Sequence, residues 1–262
     1  MFALIFAAGL GTRLRPLTDN MPKALVPLAG RTLLEYQILK LKAAGITDIM
    51  VNVHHFPDMI IDYLREHDNF GCNILISDER DMLLDTGGGL LKAWRSLLTT
   101  NDSLLTSSIL ALNVDILSAI SLLDVISAYR PEDLGLLVVK ERETQRYLCF
   151  DEDNRLVGWT NIATGEVKPK LSTINYPYGA SRSEELSTKL AFSGMQVLSP
   201  KVLPLLETYS AQVGQKFSII DFYLWLVEKQ AGTLRGLSMN VPMMDVGKID
   251  HLSEAENFAR SL

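Results

Sequence analysis

Cysteine is nearly missing from this chain: two residues in 262, Cys72 and Cys149, stand far apart in sequence. That excludes a disulfide framework and a Cys-based metal cluster, so both are expected to be inert thiols. A basic excess is missing too. The formal charge of −6 argues against nucleic acid as the main partner, because binding a phosphate backbone draws on surplus Lys and Arg. Any phosphate ligand must then be held by local groups. No apolar run reaches the roughly 20 residues needed to cross a bilayer, and the short apolar start Phe2–Ala8 has no basic segment before it. The expected protein is cytoplasmic, with no membrane or nucleic-acid partner. Internal repeats and low-complexity tracts are absent as well, which leaves one domain over residues 1–262 as the expectation. At 47% hydrophobic and 21% charged, the chain has enough apolar residues for a full core.

Short β-like runs alternate with helical ones. The strands are expected at Phe2–Ala7, Asp48–Val53, Cys72–Ser77, Ser108–Asn113 and Leu134–Lys140, and the helices between them at Thr32–Ala44, Pro57–His67, Gly88–Leu98 and Leu122–Tyr129. That rhythm predicts an α/β fold with a Rossmann-like, mostly parallel sheet flanked by helices. Between Glu141 and Lys189 the pattern breaks into polar, turn-rich sequence with short strand candidates at Tyr147–Phe150 and Leu156–Trp159. A small substrate-side insert over residues 141–189 is expected there. Trp159 and the Tyr176–Tyr178 region within it can stack on a sugar or simply cover the sheet. Regular structure resumes with a strand at Leu190–Leu198, helices at Pro200–Glu207 and Ile219–Gln230, a strand at Thr233–Ser238 and a closing helix from Ile249 to about Arg260.

The first strand runs into Ala7-Ala8-Gly9-Leu10-Gly11-Thr12-Arg13-Leu14, followed by Pro16-Leu17-Thr18 and Pro22-Lys23. Small residues after a strand let the backbone approach a phosphate or base, and N–H groups there bind anions. The loop is neither of two familiar nucleotide motifs. It lacks the third glycine of the dinucleotide fingerprint, and no Gly-Lys-Ser/Thr follows as in a P-loop. Two cations give it direction: Arg13 can fork onto two phosphate oxygens, while Lys23 adds a compact charge. Further on, Asp115 ends the apolar run Ile109–Asn113, at the sheet edge where ligands gather; by position alone it is a cap or a ligand. Asp245 also ends an apolar run. Glu79 sits in a loop before Asp85-Thr86-Gly87-Gly88-Gly89, whose N–H groups open a helix and can hold phosphate or read a base. His54 and His55 point to opposite faces of a strand end, with no ligand partner at metal spacing.

The long pattern Ala-Ala-Gly-x-Gly-Thr-Arg-Leu-x-Pro-Leu-Thr followed by Pro-Lys-Ala-Leu-Val-Pro-Leu-x-Gly resembles the signature of the sugar-1-phosphate nucleotidyltransferases. Asp85-Thr86-Gly87-Gly88-Gly89, Asn113-Val114-Asp115, Phe192-Ser193-Gly194 and Met244-Asp245-Val246-Gly247 are similar to later family motifs, in the same order. The resemblance implies an enzyme that joins a nucleoside monophosphate from an NTP, with UTP expected, to a sugar 1-phosphate. It implies catalytic roles for Arg13, Lys23 and Asp115, and Mg²⁺ on Asp115 and Asp245. Nucleotide contacts would come from Ala7, Ala8, Gly9, Gly11, Thr12, Arg13, Lys23, Glu79, Thr86, Gly87 and Gly88. Sugar contacts would come from Asn113, Ser193, Gly194 and Lys168, the last through a segment, Glu166-Val167-Lys168-Pro169, that faintly resembles a family Glu-x-Lys-Pro.

Some positions depart from the family pattern. Asn113-Val114 stands where Gly-Asp is usual, Asp85 replaces a common glutamate, and Lys248 follows the late aspartate motif where threonine is frequent. No hexapeptide-repeat tail follows the closing helix, so no appended acyltransferase domain is expected. Guanylyl or cytidylyl transfer and a non-catalytic nucleotide sensor are the other readings. A Rossmann oxidoreductase is disfavoured, because Asn52-Val53-His54 offers no acid at the tip of the second strand to hold ribose.

Overall fold

The computed structural model of the protein describes residues 1–98, 107–169 and 188–262. The chain opens with β1 (Phe2–Phe6), a small hairpin β2 (Pro27–Leu28) and β3 (Arg31–Thr32), helix α1 (Leu33–Ala43), β4 (Asp48–Val53), α2 (Pro57–Glu66), β5 (Asn73–Asp78) and α3 (Asp85–Leu98). After β6 (Ile109–Asn113), β7 (Ile116–Ser118) and α4 (Leu122–Ala128) come β8 (Gly135–Lys140), β9 (Arg146–Phe150), β10 (Leu156–Asn161) and β11 (Glu166–Lys168). The long strand β12 (Thr188–Leu198), α5 (Val202–Val213), α6 (Ile219–Lys229), β13 (Leu234–Ser238), β14 (Met243–Asp245) and α7 (Leu252–Ala259) complete it.

Strands β6, β1, β4 and β5 lie side by side in parallel, as the alternating pattern predicts. Their register follows from apolar runs that must bury both faces. Along β1, Ala3 and Ile5 pack in one layer with Leu34 and Ile38 of α1, while Phe2 and Leu4 pack in the other with Trp94 of α3 and Phe222 of α6. Phe2 and Trp94 meet edge to face, with ring centres 6.5 Å apart. Strand β12 joins antiparallel to β6, β8 and β9, and β9, β10 and β11 carry the sheet outward as an antiparallel extension. The Tyr176–Tyr178 region lies outside the described residues.

Local chemistry sets the helix starts. Thr32 caps α1 by accepting from Glu35 N at 3.1 Å, and Ser121 caps α4 in the same way from Asp124 N at 3.2 Å. Three expectations need correction. Helix α3 begins at Asp85 rather than Gly88, because its glycines are buried against a neighbouring segment instead of forming an open turn. Helix α5 begins at Val202 and runs on to Val213, and α7 begins only at Leu252, after a single tight turn at Ile249–His251. Strands β7 and β14, three residues each, are too short to leave a readable period. Cys149 is buried and Cys72 half-buried, neither in a disulfide. Among the described residues no helix is long and apolar enough to cross a membrane.

Candidate active site

The carboxyl ends of β1, β4 and β6 open into a cavity of about 490 Å³ lined by the Ala7–Arg13 loop, Lys23, Asn52, Glu79, Asn113–Asp115 and Gly247, among others. The position is the one an open α/β sheet offers to ligands, where strand ends diverge and loops are free to vary. Gly11 turns the loop back with φ +64, and a Cβ there would meet Thr18 Cγ2 at 2.9 Å and Lys23 Cβ at 3.1 Å. Only glycine combines that dihedral with that close approach. Thr18 Oγ1 and Leu14 N both donate to the Gly11 carbonyl at 2.8 Å, which fixes the loop against Lys23.

The N–H groups of Ala7 and Ala8, expected to serve a phosphate, are already engaged. Asn52 lies opposite Phe6 in the β1–β4 register, and its Oδ1 accepts from Ala7 N at 2.7 Å and Ala8 N at 3.3 Å. Ala7 and Ala8 line the cavity together with the loop from Gly9 to Thr12. Asn52 is held in turn by Glu79, whose Oε1 accepts from Asn52 Nδ2 at 2.7 Å and Oε2 from Leu84 N at 3.1 Å. Glu79 is therefore buried, at 1% exposure. Burial pushes its carboxyl above the usual range, against the pull of these hydrogen bonds and of nearby Lys92 and His54. Both carboxylate oxygens are acceptors here, and an amide can satisfy only one of the two donors. Glu79→Gln is expected to lower stability by about 1–3 kcal/mol and to loosen the loop, read as a lower thermal midpoint together with a raised KM for NTP. An unchanged midpoint and KM would refute the link. His54 serves the same region, its Nδ1 lying 2.7 Å from the Glu79 carbonyl oxygen.

Thr86 lines the cavity, whereas Gly87 and Gly88 pack beside it against another segment. Gly87 N and Gly88 N donate to Phe217 O at 2.9 and 3.2 Å, and Thr86 Oγ1 accepts from Ile219 N at 3.0 Å. Gly87 and Gly88 are buried and do not line the cavity. Their lack of side chains lets the 215–217 segment dock on the start of α3, with both N–H groups donating to it. That docking brings Lys216 to the cavity wall beside Asp85 and Thr86.

At the opposite wall, Lys23 Nζ is hydrogen-bonded to Asp115 Oδ2, with the lysine side chain 9% and the aspartate side chain 21% exposed. Arg13 is exposed on the cavity rim. Asp245 comes near through the pairing of β7 with β14, in which Asp245 stands opposite Ile116 and Val246 N donates to Asp115 O at 2.9 Å. A Cβ placed on Gly247 would meet Asp245 Oδ1 at 2.5 Å and Arg13 Nη2 at 2.9 Å, so the late aspartate and the first cation flank one glycine. On the side expected for sugar, Asn113 lines the cavity, and Gly194 packs against it so closely that a Cβ would meet Asn113 Nδ2 at 2.8 Å. Ser193 is buried with no hydrogen-bond partner for its hydroxyl among the described residues, and neither it nor Gly194 lines the cavity. Lys168 stands away from the cavity as well. Its ammonium pairs with Glu166 at 3.2 Å and lies over the Trp159 ring at 5.6 Å, because both sit beside it on the β10–β11 hairpin.

Asn52, Lys216 and Gly247 belong to this cavity without having been singled out from sequence. Asn52 leaves a signal, as the one amide in the otherwise apolar end of β4. Lys216 leaves none, since it arrives from more than a hundred residues downstream of the first loop.

An open α/β sheet with a glycine-turned loop, paired cations and acids at its carboxyl edge defines a protein built to receive a phosphorylated ligand. The chain belongs to the Nucleotidyl transferase family, whose profile matches residues 2–261. It is 47% identical over 93 residues to an N-acetylmuramate alpha-1-phosphate uridylyltransferase of Caulobacter vibrioides, a match covering 35% of this chain and 38% of that one. It is 36% identical over 150 residues to a mannose-1-phosphate guanyltransferase of Gibberella zeae, covering 56% of this chain and 40% of that one. The matched stretches thus span well under two thirds of these relatives. The fold is shared, with a TM-score of 0.78 at 16% identity, over 100% of this chain and 96% of the other, with a structure described as a putative glucose-1-phosphate thymidylyltransferase from Bacillus anthracis in complex with a sucrose.

Proposed function

We propose that the protein transfers a nucleoside monophosphate, with UMP as the expected group, from an NTP to a sugar 1-phosphate and releases pyrophosphate. The carrying observation is the single cavity that gathers the Gly9–Thr12 loop, Arg13, Lys23 and Asp115 at the sheet edge. Both relatives are named for nucleotidyl transfer to a sugar 1-phosphate, and the uridylyltransferase match supports UTP. On this reading residues 1–262 act as one domain, and 141–189 lie on its substrate side, where β9–β11 extend the sheet.

The reaction is one in-line displacement. An oxygen of the sugar phosphate attacks the α-phosphorus of the NTP, the bond to the β-phosphate bridging oxygen breaks, and pyrophosphate leaves with that electron pair. No protein nucleophile is required, and the attacking oxygen is already anionic at neutral pH. What remains is to bring two polyanions together and neutralise the charge on the leaving group. The loop N–H groups from Gly9 to Thr12 and the Arg13 guanidinium meet the triphosphate, and Arg13 stabilises the pyrophosphate as it departs. Lys23 has three N–H donors and spends one on Asp115, which leaves two for phosphate oxygens.

Asp115 and Asp245 are hard oxygen donors at neighbouring positions of the β7–β14 pair, and among the described residues no group of three metal-binding side chains forms. That donor set fits Mg²⁺, which takes one or two carboxylates and fills its shell with phosphate oxygens and water. Bound there, Mg²⁺ would supply Lewis-acid neutralisation of phosphate charge. Asp115 and Asp245 would hold it, with Lys23 hydrogen-bonded to Asp115 Oδ2.

The test is pyrophosphate release with Mg²⁺, crossing UTP, GTP, CTP, dTTP and ATP against a panel of sugar 1-phosphates. Release that requires one NTP together with one sugar phosphate is expected, with UTP the productive nucleotide; a preference for GTP would move the base assignment to the guanylyltransferases. No release from any pair, with NTP binding still measurable, would overturn the reading in favour of a nucleotide sensor.

A further inference from the structure

Strand β7 is three residues long and pairs on one edge only, with β14. Carbonyls of alternate residues in an extended segment point the same way. Asp115 O faces β14, where it accepts from Val246 N at 2.9 Å. The carbonyls of Val114, Ile116 and Ser118 face the other way, where among the described residues no strand pairs with them. Two side chains of α1 fill that place. Gln37, at 3% exposure, donates from Nε2 to Ile116 O at 2.9 Å and Val114 O at 3.4 Å. One turn further on, Lys40 Nζ donates to Ser118 O at 2.6 Å and Ser118 Oγ at 2.7 Å.

The two carbonyls held by Gln37 belong to the residues immediately before and after Asp115. Val114 N is also fixed, donating to Phe6 O at 3.2 Å. The turn carrying Asp115 is thus held by β1, by β14 and, on its outer edge, by a buried amide that does not line the cavity. An apolar side chain in place of Gln37 would take this donor from the buried Val114 carbonyl and the half-buried Ile116 carbonyl, and the turn would relax toward whatever donor it can find.

We propose that Gln37, assisted by Lys40, is a positioning residue that sets the direction in which Asp115 presents its carboxylate to the cavity, by standing in for a missing strand on the outer edge of β7. This rests on the reading of Asp115 as a group the reaction needs. A displacement of about 1 Å at such a group can cost roughly a hundredfold in rate, and loss of a group that orients a metal ligand typically weakens metal binding by about 10–100-fold. Gln37 is neutral and has no contact with substrate space, so its effect must pass through the turn.

The experiment compares Gln37→Met, Gln37→Lys, Lys40→Met, Asp115→Asn and the double variant Gln37→Met/Asp115→Asn. Pyrophosphate release gives kcat and KM, and Mn²⁺ bound by the protein–NTP complex is counted by electron paramagnetic resonance. Gln37→Met should lower kcat about 10–100-fold and weaken Mn²⁺ binding about tenfold, with KM for NTP within about twofold. Gln37→Lys retains a donor and should recover most of both. Joined to Asp115→Asn, Gln37→Met should cost nothing further, because the group it aims is gone. Parental kcat and Mn²⁺ binding in Gln37→Met, or a loss that adds in full to Asp115→Asn, overturns the proposal. Should Gln37→Met fail to fold, Lys40→Met must show the same joint loss at smaller size, and its absence overturns the proposal equally. Full activity in Asp115→Asn would remove the reading of Asp115 and this inference with it. An inactive Asp115→Asn beside an unaffected Gln37→Met would sink the inference alone.

Discussion

Asp115→Asn is expected to lower kcat by about a thousandfold while the protein stays folded and still binds NTP. Asparagine keeps the shape of the side chain and an oxygen that can accept from Lys23, but it removes the charge. Asp115 stands just before β7 and Asp245 ends β14, so on the proposed reading the loss of Asp115 removes one of the two carboxylates that would hold a divalent ion. Asp245 is exposed and flanked by Arg13, and by itself offers an ion one carboxylate already close to a guanidinium. The nucleotide loop is untouched, because Gly11 is fixed through Thr18 and Leu14, and Ala7 and Ala8 through Asn52. KM for NTP should therefore change little, and the effect should fall on kcat, as for an interaction made mainly in the transition state. A stability cost accompanies it: Lys23 loses its counter-charge at 9% side-chain exposure, but Asp115 is partly solvated and water can replace some of the lost interaction. A loss of about 1–2 kcal/mol is expected in thermal unfolding. Steady-state pyrophosphate release, a fluorescent NTP analogue and a melting curve separate the three quantities. A kcat within tenfold of the parent would remove Asp115 from the chemistry.

The parallel half of the sheet was legible because β1, β4, β5 and β6 are apolar runs separated by helical stretches, and buried parallel strands need that composition. Arg13 and Lys23 were legible through the long motif and Asp115 through the later Asn113-Val114-Asp115 stretch, and the cavity gathers all three. Other features depend on contacts between residues far apart in sequence. That Ala7 N and Ala8 N are taken by Asn52 follows only from the register placing Asn52 opposite Phe6. That Glu79 is buried follows from its two donors, Asn52 and Leu84, one of them in another strand. Strands β7 and β14 are invisible to periodicity, yet their pairing is what brings Asp245 beside Asp115. The glycines after Thr86 show how a motif leaves the packing partner of its glycines unnamed. Glycine signals close approach without naming the partner, and here the partner is Phe217 of the same chain.

Gly88→Ala provides the sharpest test of that last point. Within a helix, alanine is normally about 1 kcal/mol better than glycine, so helix propensity alone forecasts a more stable protein. The surroundings forecast the opposite. A Cβ on Gly88 would fall onto the carbonyl oxygen of Gln215, well inside contact distance, and within 3.1 Å of Leu84 Cβ. The Gln215 carbonyl is backbone, and the chain is tied down on both sides of it: Gly214 N donates to Ser210 O at 2.8 Å, while Phe217 O accepts from Gly87 N and Gly88 N and Phe217 N donates to Leu84 O at 3.2 Å. No rotamer change can relieve the clash. The 215–217 segment must lift away, with loss of the Gly87 and Gly88 hydrogen bonds and displacement of the buried Phe217 ring. A destabilisation of about 3 kcal/mol is expected, seen as a fall of roughly 6–12 °C in the thermal midpoint for a chain of this size. Gly9 is the control. A Cβ there meets nothing within 4 Å, and the residue lines the cavity, so Gly9→Ala should leave the midpoint within about 1 °C and raise KM for NTP by intruding on ligand space. If instead Gly88→Ala melts with the parent and loses NTP affinity, the glycine after Gly87 contacts nucleotide after all, and the docked position of the 215–217 segment is not the one that binds substrate.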